Sequence, residues 1–486
     1  MQDVKTIFEN LAKPRHATAQ QRAARIEALM KALLDRKEKA YEAGHIELGL
    51  SPTDVVGQLI IVKAEADFAL KHIAEWVKPQ IVPNSIMMLG KKAYIQYEPK
   101  GVVLNLSTWN APIAIGLVPA IAAIAAGNTV LLKPSELAPQ SASLLMEIVS
   151  AAMPPDEFAV VEGGPEVAEA LLALPFNHIY YTGGQRVGRI VMRAAAEYFA
   201  AVTLEMGGKN PVFIDDSADI VDAARKIAWG RLSNAGQVCV APDYALVKRP
   251  VLEQFLSTIA TEIPRMYNAD GKGFDKSADF PRIVNQGHWA RVQGLIDDAV
   301  AKGARVGLGG AADAGSRFIP PTVLTDVTAD MRVMQEEIFG PVLPVLAYDD
   351  LSVAMERVRA HSKPLALYVY AKNRAVIDAV LAGTSAGSTV VNHNMVQSGT
   401  NPHLPFGGVN GSGLGRVGGH RGFLEFSNAR SVVEETKAAD GLTPLPPFDE
   451  KTRKMMAGML GRNTVVPAPI IAAIETVLKA RAAFRR

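Results

Sequence analysis

Cys239 is the only cysteine in this chain of 486 residues, and it follows the segment Ser233-Asn-Ala-Gly-Gln-Val, in which small residues interrupt a helical pattern. A cysteine thiolate is a strong nucleophile, although a lone cysteine in a cytosolic protein is more often an inert, buried side chain. Cys239 is therefore a candidate nucleophile, and its neighbours in the fold must decide between these two interpretations.

Glu205 ends a predicted strand and is followed by Met206 and a pair of glycines. The ligand crevice of a doubly wound sheet lies at the carboxyl ends of its parallel strands, so a carboxylate at this position could hold or activate a water molecule. The alternative interpretation is a solvated glutamate or a cap on the next turn.

Asn110 follows the first strand of the same series, in the segment Ser107-Thr-Trp-Asn-Ala-Pro112. Its side-chain amide could donate a hydrogen bond to an oxyanion that develops in the same crevice. The alternative is a turn residue, because asparagine is common shortly before proline.

Two segments are candidates for binding a cofactor: Lys133-Pro-Ser-Glu136 after the second strand, and the stretch from Tyr181 to Gly188 after the fourth. The chain has no GxGxxG motif where the first strand meets its helix. An acid after the second strand nevertheless suits ribose hydroxyls, and glycines at the start of a helix suit a phosphate. No group of His, Cys, Asp and Glu has the spacing of metal ligands, so the sequence predicts no metal site.

Only a parallel sheet would bring these candidates together, and the chain has the pattern of one from residue 101 onward. β-Branched runs alternate with Ala-rich helical segments, which predicts right-handed crossovers and a doubly wound α/β domain. The predicted strands of this domain are 102–106, 129–133, 158–162, 178–182 and 202–205. A second series, with strands at 211–215, 245–249, 321–324, 366–371 and 388–392, predicts a second α/β domain of similar size.

The composition excludes several classes of protein. The hydrophobic content of 49% supports large cores and excludes a disordered chain or a coiled coil. The 51 Lys and Arg residues nearly balance the 49 Asp and Glu residues, so the net positive charge is too small for electrostatic binding of nucleic acid. A single cysteine allows no intrachain disulfide, and the first five residues lack the apolar core of a signal peptide. We expect a cytoplasmic protein with small or specific partners.

Two segments need to be tested as membrane elements. Residues 101–132 contain no charged side chain, but prolines and glycines divide the run into strand, turn and helix, so no transmembrane segment is expected. Residues 469–486 predict an amphipathic helix with a basic end, for which packing on the protein body is favoured over a role at a membrane or partner surface.

Seven segments, taken together in this order and spacing, resemble the aldehyde dehydrogenase superfamily over about residues 68–433. The matching segments are Trp109-Asn-Ala-Pro112, Lys133-Pro-Ser-Glu136, Tyr181-Thr-Gly-Gly184, Leu204-Glu-Met-Gly-Gly-Lys209, Gly236-Gln-Val-Cys239, Glu336-Glu-Ile-Phe-Gly-Pro341 and Pro405-Phe-Gly-Gly408. Four further segments look most like the class-three branch, which contains coniferyl, fatty and aromatic aldehyde dehydrogenases: Phe68-Ala-Leu-Lys-His72, Tyr97-Glu-Pro-Lys-Gly-Val102, Val240-Ala-Pro-Asp-Tyr244 and the Pro446-Pro-Phe tail.

The resemblance implies an α/β fold with a Rossmann-like parallel-sheet cofactor domain, an α/β catalytic domain and a small oligomerisation element. We expect the NAD(P)-binding domain at residues 1–85 and 107–207, the catalytic domain at 208–393 and the oligomerisation element at 86–106 and 394–434. No role is assigned to the C-terminal tail, 435–486. A homodimer is expected, since two-fold pairing is the commonest closed symmetry.

By the same resemblance, Cys239 is the nucleophile, Glu205 the general base, and Asn110 an oxyanion donor together with the backbone N–H of Cys239. The implied contacts with NAD are Lys133 and Glu136 at the adenine ribose, Gly183 and Gly184 near the pyrophosphate, and Glu337 and Phe339 at the nicotinamide ribose and ring.

These roles imply the oxidation of an aldehyde to a carboxylic acid, through a thiohemiacetal and a thioester on Cys239 that water activated by Glu205 hydrolyses. The alternatives are transfer of the acyl group to coenzyme A, a catalytically silent member with a structural or binding role, and a cysteine hydrolase acting on esters. The charge of Glu136 should repel a 2′-phosphate, which favours NAD, while Lys133 nearby leaves NADP use open.

Two positions depart from the pattern of many relatives. Ala111 stands where many carry Phe or Tyr, which predicts a wider substrate tunnel and tolerance of a bulky or aromatic aldehyde. Gly184 often corresponds to Ser or Asn, so a side-chain bond to the pyrophosphate is not expected.

Overall fold

The computed structural model describes residues 3–397, 401–435, 444–461 and 466–484. The chain divides into two compact units, a larger one within residues 1–73 and 100–426 and a smaller one within residues 74–99 and 427–486. All the residues with proposed roles belong to the larger unit.

Helices make up most of the first 76 residues and then alternate with strands. In chain order, the α-helices of the described residues are α1 (Val4–Leu11), α2 (Ala19–Leu34), α3 (Lys37–Leu48), α4 (Pro52–Trp76), α5 (Pro112–Ala126), α6 (Pro139–Ala152), α7 (Pro165–Leu172), α8 (Gln185–Glu197), α9 (Ile220–Leu232), α10 (Leu252–Tyr267), α11 (Gln286–Ala301), α12 (Arg332–Gln335), α13 (Leu351–Arg359), α14 (Arg374–Gly383), α15 (Gly419–Glu425), α16 (Glu450–Met459) and α17 (Ala468–Phe484).

The strands of the described residues form three sheets. In chain order they are β1 (Gln80–Ile81), β2 (Lys91–Pro99), β3 (Val102–Leu106), β4 (Thr129–Lys133), β5 (Phe158–Val160), β6 (His178–Thr182), β7 (Ala201–Glu205), β8 (Pro211–Ile214), β9 (Tyr244–Lys248), β10 (Arg305–Leu308), β11 (Thr322–Thr325), β12 (Val342–Tyr348), β13 (Ala366–Tyr370), β14 (Ser388–Val391), β15 (Gly413–Leu414) and β16 (Ser427–Glu435).

The first sheet of the larger unit has six strands in the order β15-β7-β6-β3-β4-β5, and all neighbours are parallel except β15, which is antiparallel to β7. Leu106 is in register with Lys133 and with Tyr181, and Thr182 is in register with Glu205. The carboxyl ends of four strands therefore lie along one edge. The prediction of a doubly wound parallel sheet is confirmed.

The second sheet has seven strands in the order β10-β11-β12-β9-β8-β13-β14, and only the β10–β11 pair is antiparallel. Two of its strands, β10 and β12, are not among the predicted ones. β12 lies between β11 and β9 and contains Pro344, and a proline is normally evidence against a central strand. The mixed α/β fold with two parallel-sheet layers is nevertheless the predicted one.

Helix α5 explains the run without charges at residues 101–132. Pro112 opens the helix at its first position, Gly127 ends it in the left-handed conformation at φ 96°, and nearly every residue between them is buried. A helix buried on all sides needs no polar face. Among the residues that the structure describes, no helix is both long enough and apolar enough to cross a membrane.

The smaller unit contains a three-stranded antiparallel sheet in the order β1-β2-β16. Strands β2 and β16 are in register from Lys91 with Glu435 to Pro99 with Ser427. Helix α17 contains residues 469–484 of the segment 469–486 predicted as an amphipathic helix, residues 485–486 lie outside the described residues, and Ile471 is buried. Of the segment 86–106 expected in an oligomerisation element, β2 lies in this sheet whereas β3 lies in the six-stranded sheet, and the domain boundaries stay a prediction.

Candidate active site

Two cavities of the larger unit share four lining residues: Asn110, Thr182, Glu205 and Cys239. One is a cleft of about 610 Å³ with many polar groups, and the other is a largely apolar cavity of about 210 Å³. The three residues predicted to do chemistry are far apart in sequence, and the fold brings them to the same walls. Thr182, the end of β6, is a neighbour to which no role was assigned.

The turn before Cys239 has an unusual backbone. Asn234 and Ala235 both have φ of 50°, and Gly236 has φ of 75°, so three consecutive residues are left-handed. A Cβ atom on Gly236 would lie 2.2 Å from the carbonyl oxygen of Gly340, so only glycine fits there. This turn follows directly from α9 and leads the chain to the half-buried Cys239.

Gln237, which is fully buried, fixes the turn from inside. Its Nε2 atom donates to the carbonyl oxygens of Asn234 and Arg282, each at 3.0 Å, and its Oε1 atom accepts from the N–H of Val284 at 3.0 Å. Gln237 belongs to one of the motifs quoted above, but no role was predicted for it, because two of its three partners, at Arg282 and Val284, lie in a distant segment.

Asn210 holds the carbonyl groups on the other side of the nucleophile. Its Nδ2 atom donates to the carbonyl oxygens of Cys239 at 2.8 Å and Ala241 at 3.0 Å, while its Oδ1 atom accepts from the N–H of Ala366 at 3.0 Å. The backbone around Cys239 is therefore fixed by side chains on both sides. Sequence reasoning missed this residue too.

Asn110 lies between β3 and α5 and is buried. Its Nδ2 atom donates to the carbonyl oxygen of Gln237 at 2.9 Å, and its own carbonyl oxygen accepts from Asn234 Nδ2 at 2.9 Å. Within the described residues, Asn110 Oδ1 is buried without a hydrogen-bond partner. The amide is thus fixed to the turn that carries Cys239, at the wall where the two cavities meet.

Glu205 is at the carboxyl end of β7 and is only 4% exposed. Neither carboxylate oxygen has a hydrogen-bond partner among the described residues. Burial raises the pKa of Glu205 to about 8, a rise that Arg416 opposes and Glu425 supports. A carboxylate whose pKa is near neutral pH is suited to general base catalysis.

The thiol of Cys239 is protonated in this environment. Burial, followed by the negative charges of Glu205 and Glu337, raises its pKa to about 12, and the backbone N–H groups of Cys239 and Val240 oppose that rise. A nucleophilic thiolate therefore requires a base or an added positive charge.

Of the six cofactor candidates, four line the 610 Å³ cleft: Gly183, Gly184, Glu337 and Phe339. Lys133 and Glu136 are not among these lining residues, and their side chains form an ion pair at 3.4 Å. Lys133 is the last residue of β4, in register with Leu106, and Glu136 follows the strand on the same edge of the sheet as the cleft. The contact with an adenine ribose stays a prediction.

Gly184 has an extended backbone and precedes α8. A Cβ atom there would meet no atom within 4 Å, and no side chain caps the helix, so its first N–H groups suit a pyrophosphate. The Tyr181 hydroxyl donates to the carbonyl oxygen of Gly184 at 3.0 Å and fixes the turn.

Glu337 packs directly against Gly207, where a Cβ atom would lie 2.0 Å from its Oε1. Burial and the charge of Asp243 raise the pKa of Glu337 to about 8, against the backbone N–H of Gly208 and the charges of Arg231 and Arg291. Because it lines the cleft, this carboxyl group is placed to accept from ribose hydroxyls.

Phe339 has φ of 46° and its ring contacts that of Trp109 edge-on, with 5.6 Å between centroids. Trp109 in turn contacts the ring of His288 at 5.3 Å. All three line the cleft and supply flat apolar surface beside Cys239. The donors, carboxyl groups and aromatic rings of this cleft therefore fit a nicotinamide dinucleotide.

The second cavity, of about 210 Å³, has small side chains near the four residues that it shares with the cleft. Ala111 and Ala114 line it, and larger apolar residues such as Val118, Leu404 and Phe406 line it elsewhere. An apolar cavity of this kind suits a hydrophobic organic substrate. Among the described residues, no group of three or more His, Cys, Asp or Glu side chains could hold a metal ion.

Comparison with known proteins identifies related chains. The model of the aldehyde dehydrogenase family matches residues 5–432. Aldehyde dehydrogenase family 3 member B3 of Mus musculus is 39% identical over 450 residues, which are 92% of each chain. A probable coniferyl aldehyde dehydrogenase of Caulobacter vibrioides is 40% identical over 420 residues, which are 84% of this chain and 85% of that protein.

Solved structures show the same architecture. A substrate-bound AldH of Staphylococcus aureus has a TM-score of 0.89 and 33% identity, and the match covers 94% of this chain and all of that one. An aldehyde dehydrogenase of Bacillus cereus in complex with NAD has a TM-score of 0.79 and 28% identity, with 89% of each chain covered.

Proposed function

The chain belongs to the aldehyde dehydrogenase family, and we propose that it oxidises a bulky or aromatic aldehyde to the carboxylic acid with NAD as the preferred cofactor. The observation that carries this proposal is the wall shared by the two cavities, where Asn110, Glu205 and Cys239 meet. In the proposed function, the polar cleft binds the cofactor and the apolar cavity binds the aldehyde.

The first step is the addition of Cys239 Sγ to the carbonyl carbon of the aldehyde. The thiol must lose its proton, and Glu205, which lines both cavities with it and is the first of the two groups to be deprotonated as the pH rises, is the base available to accept it. The oxygen of the resulting thiohemiacetal becomes negative, and the Nδ2 of Asn110 and the backbone N–H of Cys239 stabilise that charge.

When bound, the nicotinamide supplies the hydride acceptor, and loss of hydride from the thiohemiacetal carbon leaves a thioester on Cys239. Glu337 and Phe339 orient the cofactor from the wall of the cleft, and Gly183 and Gly184 bind the pyrophosphate.

Hydrolysis of the thioester completes the reaction. Once the proton taken from Cys239 has passed to solvent, Glu205 takes a proton from water, the oxygen of that water bonds to the acyl carbon, and the carbon–sulfur bond breaks to release the acid and the Cys239 thiolate. The presence of this buried base favours hydrolysis over transfer of the acyl group to coenzyme A.

The cofactor preference follows from Glu136. Its carboxylate accepts from ribose hydroxyls and repels a 2′-phosphate. Lys133, at 3.4 Å, offsets part of that repulsion, so weaker use of NADP is compatible with the proposal.

We also propose a homodimer. Strand β16 is nine residues long, its side chains are mostly exposed, and among the described residues it pairs only with β2. An exposed strand edge is a surface on which another chain can add. Sedimentation at micromolar concentration should give twice the mass of the chain, and a monomer would contradict the proposal.

The central experiment is a panel of benzaldehyde-type and short aliphatic aldehydes with NAD, followed by NADH absorbance, on the wild type and Cys239→Ala. We expect oxidation by the wild type, with the higher kcat/KM on the aromatic aldehydes, and essentially none by the variant. Analysis of the product with and without coenzyme A should give the free acid in both cases. Retained activity in Cys239→Ala, or an acyl-coenzyme A product, would overturn the mechanism.

A further inference from the structure

The mechanism leaves one buried cluster of charges unused, formed by Asp243, Lys209 and Arg231. These side chains are 2%, 6% and 1% exposed, so their charges are almost completely removed from water. Only Lys209 is among the residues that line the cleft, and Asp243 touches neither cavity. Buried charges are costly unless they are paired and hydrogen-bonded, which makes the arrangement of this cluster informative.

Asp243 receives three hydrogen bonds. Its Oδ2 atom accepts from Lys209 Nζ, and its Oδ1 atom accepts from Arg231 Nη1 at 3.0 Å and from the backbone N–H of Ile338 at 3.2 Å. Both oxygens are therefore occupied, and each partner comes from a different segment of the chain.

The two cations extend these connections to the backbone. Arg231 Nη1 donates to the carbonyl oxygen of Pro242 at 2.8 Å, and its Nη2 donates to that of Gly340. Lys209 Nζ donates to the carbonyl oxygen of Val333 at 2.6 Å. The cluster thus binds the segment 333–340 at three backbone positions, the N–H of residue 338 and the carbonyls of residues 333 and 340.

The segments joined in this way carry the proposed machinery. Asp243 lies four residues after the nucleophile, and Lys209 lies four residues after the general base. Ile338 lies between the two residues proposed to contact the nicotinamide ribose and ring. One carboxylate therefore links the nucleophile loop to the cofactor side of the cleft.

The negative charge of Asp243 stabilises the charged forms of Lys209 and Arg231. Burial lowers the pKa of Lys209 and of Arg231, and the negative charge of Asp243 opposes both shifts. Without that charge, the two buried cations would keep their hydrogen bonds to carbonyl oxygens, and the ring of Tyr244 and the charge of Glu337 would be the remaining favourable contacts.

We propose that Asp243 is a positioning residue, which fixes the Cys239 loop relative to the segment carrying Glu337 and Phe339 through its bonds to Lys209, Arg231 and the N–H of Ile338. Asp243 contacts neither substrate nor cofactor. It acts by holding the Cys239 loop and the segment 333–340 in a fixed position relative to each other. The inference rests on the proposed function, because it assigns a purpose within that chemistry.

Asp243→Asn tests the inference, since it keeps the shape of the side chain and removes the charge. We expect the Kd for NAD, measured by calorimetry, to rise about tenfold and kcat per NAD-binding site to fall about tenfold. The calorimetric stoichiometry counts only folded sites that bind NAD, so a loss of stability alone would move neither quantity.

Glu262→Gln is the matched control. Glu262 is a buried carboxylate on α10, paired with Arg225 and Arg265, and it lies outside both cavities. The control should lower Tm while its Kd for NAD and its kcat per NAD-binding site stay within about twofold of the wild type. An equal loss of binding and turnover in the control would mean that any buried ion pair has this effect, which would overturn the inference.

Arg231→Lys is a second variant in case Asp243→Asn does not fold. Lysine keeps the cation but cannot reach Asp243, Pro242 and Gly340 with the planar fork of arginine. We expect at least a threefold rise in the Kd for NAD. If a folded variant of either residue binds NAD and turns over within twofold of the wild type, the cluster serves stability alone and the inference is wrong. A wild type without NAD-dependent oxidation would instead contradict the proposed function.

Discussion

Asn110 Nδ2 lies 2.9 Å from the carbonyl oxygen of Gln237, two residues before Cys239. The carbonyl oxygen of Asn110 accepts in return from Asn234, at the start of the same turn. The proposed oxyanion donor and the proposed nucleophile are therefore parts of one hydrogen-bonded unit, although β3 and α9, which precede them, are far apart in the sequence.

Replacing Asn110 with alanine should slow the chemical step. Loss of one oxyanion donor lowers kcat by about 10²–10³, and we expect that loss with little change in the Kd for NAD. Steady-state kinetics and calorimetry measure the two quantities. Asn105→Ala is the control, since Asn105 is also a buried asparagine but donates only to carbonyl oxygens of α5. Equal losses in both variants would assign the effect to packing.

Glu205→Gln tests both proton transfers that the mechanism assigns to Glu205. Without the base, neither the Cys239 thiol nor the hydrolytic water loses its proton readily, and turnover falls by about 10²–10⁴. Because NADH formation slows together with hydrolysis, rapid mixing should show no burst of NADH. A burst of about one NADH per site before a slow phase would mean that Glu205 acts only on the thioester.

The dependence of turnover on pH, measured for the wild type and for Glu205→Gln, tests whether Glu205 acts as a base. The pKa of Glu205 is raised to about 8, and the base is the deprotonated form. Wild-type turnover should therefore rise as the pH increases through about 8, and this rise should be absent in Glu205→Gln. A wild-type rate that falls over the same range would contradict the assignment.

Glu136→Gln should weaken the discrimination against NADP. The substitution removes the charge that opposes a 2′-phosphate while Lys133 remains, so the ratio of kcat/KM with NADP to that with NAD should rise about tenfold, equivalent to about 1.4 kcal/mol. Glu197→Gln, at the exposed end of α8, is the charge-matched control. An unchanged ratio, or an NADP preference in the wild type, would show that Glu136 has been misassigned.

Ala111→Phe should narrow the apolar cavity beside the wall that it shares with the cleft. We expect kcat/KM for benzaldehyde to fall at least about tenfold relative to that for acetaldehyde, a range that single changes of pocket volume produce. Ala151→Phe, at an exposed position of α6, controls for the added ring. A uniform loss on both aldehydes would point to misfolding instead of selection by size.

Much of the cofactor half of the fold is predictable from sequence. The predicted bounds of β3, β4 and β6 agree with the structure, because parallel strands buried on both faces have nearly continuous apolar runs. The prediction failed for β12, where Pro344 sits in a central strand, and for β10, whose residues are half or fully exposed. Such strands are defined by their neighbours and not by their own sequence.

The residues of the candidate site also divide into those that the sequence indicates and those that it does not. Cys239, Glu205 and Asn110 have side chains whose chemistry is visible in the sequence. Gln237 and Asn210 support them through hydrogen bonds to backbone atoms. Partners of that kind carry no residue signature, so no pattern along the chain could indicate them.

The wall between the two cavities sets how ligands approach each other. Because the cleft and the apolar cavity share four lining residues, the proposed function has the dinucleotide and the aldehyde reach Cys239 from different cavities, without competing for the same space. A compound that reaches the sulfur from one side leaves the other chamber free, so inhibitors could be developed independently for each entrance, or joined across the thiol into a single bisubstrate ligand.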